Sequence, residues 1–358
     1  MRLRHFLQPS ITLCLVAMAT LIAGCQSIGP KTMNRDQLNY GQSVGDNWKN
    51  QMLANIVKIR YADMPVFMDV GSIVSGYSLE TQVSATAGFN NSFTGGDSQG
   101  LGASGKFTDR PTITYMPKTG EDYLRSLLSP VEPKHLLALI QAGYNSELLF
   151  TWSVESVNGV KNFSTSASGQ LTADPEFYEF TELMLMLQRE GVVAWEFKTQ
   201  PETKFDIMLV IRNRDVSDSI IAKRKRIAEI LELDATTNQY RVMYAPFRVN
   251  EETLALQTRS VIQMLASMSG FVEVPAELAG TAAPGFDTSA LSSKPFHVNS
   301  GKSRPDSAYA AVKYHDYWYW IDDTDLASKR VFLLMLFITT LTNKGDQQMG
   351  PVLTIPTG

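Results

Sequence analysis

The chain has 358 residues, with 32 Lys and Arg against 36 Asp and Glu, 44% hydrophobic residues and 2 Cys. This balance is that of a globular protein and excludes a disordered, collagen-like or disulfide-scaffolded chain. A formal charge of -4 leaves no surplus of cations, so nucleic acid is not expected as a partner.

Arg2 and Arg4 precede a mostly apolar run over residues 6–22, interrupted by Gln8, Pro9 and Ser10. The run is too short and broken for a spanning helix of ~20 residues, and its order of charge then apolar core is that of an export signal. It ends in Ile22-Ala23-Gly24-Cys25, which resembles the lipobox of bacterial lipoproteins. The resemblance implies that residues 1–24 are removed, Cys14 with them, and that Cys25 is acylated as the new N-terminus. It implies a membrane anchor through Cys25, and Gln26 in place of Asp implies the outer membrane, with the body in the periplasm. The competing reading is an ordinary secretory signal or a buried helix.

Residues 25–43 are polar, punctuated by Gly29-Pro30 and Gly41, as a tether would be. Trp48, Met52, Ile56, Val57 and Ile59 recur at helical spacing and predict an amphipathic helix over 46–61. From Pro65 the pattern is β. Leu79, Thr81, Val83, Ala85, Ala87 and Phe89 alternate with Glu80, Gln82, Ser84, Thr86, Gly88 and Asn90, which predicts a long Gly/Ser-rich hairpin over 78–115. One arm has the ~9–11 residues of a membrane β-strand, yet a lone hairpin has unpaired edges, so insertion requires several copies. The competing reading lays the small-residue face of a soluble hairpin on a helix.

Helices are predicted over 120–128, 132–142 and 145–157, and another opens at Asp174-Pro175 and closes at Gly191. Strands over 192–197 and 205–212 follow, then helices over 217–232 and 251–268 around a strand at 240–247. The main body thus spans 44–275. An Ala, Gly, Ser and Pro-rich loop or linker over 276–296 separates it from a C-terminal part, 297–358, reading strand, strand, helix, short strand. The apolar run 331–338 is far short of a membrane span and reads as a buried helix. Strands and helices mix without a βαβ rhythm, so the expected fold is α+β, with mainly antiparallel strands.

Several motifs fail on physical grounds. Gly100-Leu101-Gly102-Ala103-Ser104-Gly105 has the letters of a dinucleotide fingerprint but no following helix pattern, and reads as a hairpin tip. Lys118-Thr119-Gly120 stands without any S-x-x-K. His135, His297 and His315 are scattered; no metal and no cofactor are expected. Asp322, Asp323 and Asp325 precede a helix and read as caps, and Lys223-Arg224-Lys225-Arg226 reads as a solvated face pairing with Glu229 and Glu232.

Tyr314-His315-Asp316-Tyr317-Trp318-Tyr319-Trp320 is the densest aromatic segment. With His315-Asp316 as a two-residue turn, Tyr314 faces Tyr317, Lys313 faces Trp318 and Val312 faces Tyr319; Lys313 over Trp318 would be a cation–π pair. Tyr314, Tyr317, Trp318, Tyr319 and Trp320 are therefore the candidate binding residues, against the alternative that they are core. The stretch from Arg304 onward, with Arg304-Pro305-Asp306, Trp320-Ile321-Asp322-Asp323 and Ser328-Lys329-Arg330, is similar to uncharacterised bacterial envelope proteins, a resemblance that implies no activity. The expected function is a non-enzymatic structural or assembly subunit of an envelope complex, with a protein partner or further copies of itself. The alternatives are a glycan- or peptide-binding lipoprotein using 314–320 and, third, an envelope hydrolase.

Overall fold

Helix α1 (Gly29–Arg60) begins with Gly29-Pro30, a proline in the first turn costing no hydrogen bond. It starts well before residue 46 and runs through the stretch read as tether, where no proline follows Pro30 and Lys, Met, Arg, Gln and Leu all favour helix. The computed structural model describes residues 29–74, 77–88, 98–109, 112–165, 171–198, 206–212, 214–286 and 295–342. Cys25 lies outside them. The chain divides into two compact units, 1–49 and 50–358. In the first, Asp46 and Lys49 pair at 2.7 Å across one helical turn.

In the second unit Met52, Leu53, Ile56 and Val57 are buried. Gln51 and Asn55, one turn apart, act as a surrogate strand edge. Asn55 Nδ2 donates to Val66 O at 2.8 Å while Asn55 Oδ1 accepts from Val66 N at 2.8 Å, and Gln51 does the same to Met68 O and N at 3.0 and 2.9 Å. Asn55 is 1% exposed. Asn55→Leu, which orphans both Val66 groups, is expected to cost ~1–3 kcal/mol in denaturant unfolding, and Gln51→Leu, whose bonds are exposed, clearly less.

The extended chain continues into β1 (Met68–Val74), β2 (Tyr77–Gly88), β3 (Ser98–Asp109) and β4 (Thr112–Pro117). β1 pairs with β4 and β2 with β3, both antiparallel, with an irregularity between Val70 and Ser72. Val74 partners Thr112 and Tyr77 partners Asp109, three residues further along each strand, so the two pairs share one register. The two pairs together are called the ribbon. Leu79 stands opposite Phe107, Val83 opposite Ala103, Ala85 opposite Leu101 and Glu80 opposite Lys106. The run Gly100 to Gly105 lies within β3 and not at a tip, and no helix follows it.

Short helices α2 (Glu121–Leu128), α3 (Pro133–Gln141) and α4 (Ser146–Ser153) come next; Asn145 caps α4 by accepting from Leu148 N. Where a helix was expected to 157, the chain turns extended as β5 (Val154–Val157), with Val154 and Val157 fully buried. β6 (Val160–Lys161), a small pair β7 (Ser164–Thr165) and β8 (Leu171–Thr172), and α5 (Pro175–Arg189) follow, the last closed by Gly191 at φ +64°. Then come β9 (Val193–Lys198), β10 (Asp206–Ile211), α6 (Asp218–Leu231), β11 (Gln239–Tyr244), β12 (Thr253–Thr258) and α7 (Val261–Ser269).

The main sheet has the order β6-β5-β12-β11-β10-β9, antiparallel except for β11 with β12. Trp195, Leu209 and Tyr240 form a buried row across it, while Glu196 and Arg241 on the opposite face are exposed. The predicted helix over 251–268 splits into β12 and α7. Thr253, Leu254, Ala255, Leu256 and Thr258 are all buried, so this central strand carries an apolar run without alternation. Trp152 is the hub of the aromatic core, its ring edge-on to Phe163, Phe271 and Phe296 at 5.7, 5.9 and 6.0 Å.

Past a 3-10 turn (Ala276–Thr281), β13 (Asn299–Gly301), β14 (Ala310–Tyr314) and β15 (Tyr317–Ile321) form a sheet of order β13-β15-β14, and α8 (Leu326–Thr342) closes the described chain. Asp325 caps α8, accepting from Ser328 N at 3.0 Å and from Ser328 Oγ at 2.6 Å. Val331, Phe332, Leu334, Met335 and Ile338 are buried. Among the described residues no helix is long and apolar enough to cross a membrane. The short strand expected near the C-terminus lies outside the described residues. The architecture is α+β.

Candidate functional site

His315 and Asp316 adopt φ +46° and +64°, the left-handed pair of a two-residue hairpin turn. The turn sets the register Tyr314 to Tyr317, Lys313 to Trp318 and Val312 to Tyr319, as the spacing predicts. Alternation then splits the five candidate residues between two faces.

The inner face carries Tyr319, fully buried, with Tyr314 and Tyr317 half-buried against the core. Tyr319 and Tyr61 share a hydroxyl–hydroxyl bond of 2.5 Å, and Tyr314 donates to the Asp63 carboxylate. The Tyr61 ring lies 5.6 Å from Tyr314 and 5.3 Å from His315. Burial raises the Tyr61 hydroxyl above its ordinary 10.0, and burial followed by the Tyr61 bond raises Tyr319 further. As pH passes 10.0 the unfolded chain therefore releases protons that the folded one retains, and stability falls from there upward. Tyr319→Phe, which strands the buried Tyr61 hydroxyl, is expected to cost ~1–3 kcal/mol in thermal unfolding, whereas replacing both by Phe costs much less and flattens the alkaline fall.

Trp318 and Trp320 occupy the outer face, half-buried and not packed on the core. The cation over Trp318 is Arg304, its guanidinium 5.4 Å from the ring; Lys313 instead pairs with Asp316 at 3.2 Å. Lys302 lies 5.6 Å from the Tyr317 ring and 3.6 Å from Glu277. Tyr61, Asp63, Lys302 and Arg304 carry no local signal in the sequence, because each joins the segment through tertiary contact alone.

Elsewhere Arg226, Glu232 and Asp322 each have partners of their own. A cavity of about 590 Å³ is lined by Asp174, Glu176, Arg226, Glu229, Glu232 and Arg248. Arg226 there is held by both Glu179 oxygens at 2.7 and 2.8 Å and lies 3.5 Å from Glu229, while Glu232 pairs with Arg248 at 3.4 Å and not with the basic run. His297 Nε2 is 3.2 Å from Glu273, but the nearby Ser328 hydroxyl donates to Asp325 and accepts from the His297 backbone, so its proton is turned from the imidazole. Asp322 accepts from Thr324 N and Oγ1 at 2.8 and 2.6 Å, which holds it below its ordinary value and commits it to the turn. Among the described residues no group of three or more His, Cys, Asp or Glu is placed to hold a metal ion. Neither a protein family, nor a curated protein, nor a solved structure matches the chain.

Proposed function

We propose that the protein is a lipid-anchored, non-enzymatic subunit of an outer-membrane assembly, held on the periplasmic side by acylated Cys25, whose copies associate through the ribbon. The observation that carries this reading is the ribbon's single register combined with its open edges: β1 with β4 and β2 with β3 are two-stranded pairs with no third strand among the described residues. Every residue from Thr112 to Pro117 is exposed. Unpaired strand edges are hazardous in water and inadmissible in lipid, so such a ribbon calls for a partner strand. Ribbons from several copies, laid edge to edge and closed into a ring, satisfy every edge at once. At ~3.3 Å per residue the arms of β2 and β3 are long enough to cross a hydrocarbon layer of ~30 Å at a tilt. The alternation of Leu79, Val83 and Ala85 with Glu80, Gln82 and Ser84 along β2 is the pattern such a wall needs.

The test is the mass of the acylated protein extracted from membranes in mild detergent. A defined multiple of the chain is expected. A monodisperse monomer, free of any co-purifying protein, overturns the reading.

A further inference from the structure

The geometry points to the outer face of the β13-β15-β14 sheet as a binding platform for an acidic glycan, with the indoles of Trp318 and Trp320 stacking on sugar rings and Arg304 holding the acid group. Two residues apart on one strand, the tryptophans are spaced ~6.6 Å along the sheet. Their flanks are small or polar: Gly301 and Asn299 on β13, Ala311 and Lys313 on β14. A Cβ on Gly301 would stand 3.3 Å from the Trp320 ring, so that indole reaches across the neighbouring strand and depends on the glycine for room. An indole laid over a strand turns its other face away from the sheet. Because neither tryptophan packs on the core, burial does not explain why two of the largest apolar side chains sit here.

The charge singles out the ligand class. In a chain of net charge -4, Arg304 is exposed beside Trp318 and has no carboxylate within ion-pair distance among the described residues. A guanidinium so placed can take a carboxylate or sulfate in two parallel hydrogen bonds while the adjoining sugar ring lies on an indole. A peptide added as a strand fits less well. The β14 edge is occupied at Ala311, whose N–H donates to Asn50 Oδ1 at 3.1 Å, and β13 is only 3 residues long.

The experiment titrates the detergent-solubilised full chain with an oligogalacturonate, a heparin hexasaccharide and neutral cellohexaose, following tryptophan fluorescence and heat. Binding of at least one acidic probe is expected, weakening with salt, with cellohexaose at least ~10-fold weaker. Trp320→Ala and Arg304→Gln are each expected to lose about tenfold in affinity, the second also losing most of the salt dependence. Arg304 is exposed, so its variant keeps the fold and reads the site directly. Arg212→Gln, which alters a different cavity lined by Arg212, Arg214 and Asn238, leaves binding unchanged. The inference is overturned by failure of both acidic probes, by equal affinity for cellohexaose, or by an Arg212→Gln loss matching that of Arg304→Gln.

Discussion

Excising residues 78–108 and joining Tyr77 to Asp109 through Asn-Gly is expected to reduce the detergent-extracted protein to a monomer without weakening its body. Tyr77 and Asp109 are register partners, so a two-residue turn spans them with the strands undisturbed. The deletion removes nearly all of β2 and β3, hence most of the open edge, and none of the core residues found among the described side chains. Its thermal unfolding is expected to stay within ~0.5 kcal/mol of the intact chain, as for changes remote from packed features. Light scattering supplies the mass and calorimetry the stability. An excised protein that keeps the mass of the intact one places the contact elsewhere, and one that no longer unfolds cooperatively makes the ribbon part of the folding unit.

Trp152→Ala carries the largest expected loss of stability, ~3–5 kcal/mol. Its indole is 1% exposed and joins the end of α4 to Phe163, Phe271 and Phe296, three segments far apart in sequence. Truncation leaves a hole that three rigid rings, themselves packed on other groups, cannot collapse to fill. Phe163 also receives Arg259, whose guanidinium stands 4.4 Å over the ring and donates to the Phe163 carbonyl. Burial lowers that arginine to about 10, so the rings are also the wall that shields a desolvated cation. Trp152→Phe, keeping an aromatic of smaller volume, is expected to lose well under half as much. Urea unfolding with an unchanged slope confirms that the difference lies in the native state.

The elements that sequence reasoning locates well are those whose pattern is local. The His315-Asp316 turn fixes the β14–β15 register because two left-handed residues admit few alternatives, and alternation marks the arms of the ribbon. β12 is illegible for the opposite reason: covered on both faces, it has no polar phase to alternate with. The helical start at Gly29 is missed because a polar helix has no apolar stripe to announce it. In the aromatic segment the density is visible, but which side faces out depends on Tyr61 and Asp63, more than 250 residues away along the chain. Arg304 rather than Lys313 lies over Trp318 because Asp316, three residues along in the turn, claims the lysine.

The amide joint between α1 and the base of the ribbon has a mechanical consequence. Four hydrogen bonds link Gln51 and Asn55 to Val66 and Met68, all roughly across the direction in which the chain runs toward β1. A pull along the ribbon strains them together, in shear, whereas a sideways lift opens them one after another. The joint is therefore stiff along the strand and compliant across it, a hinge with a single easy axis.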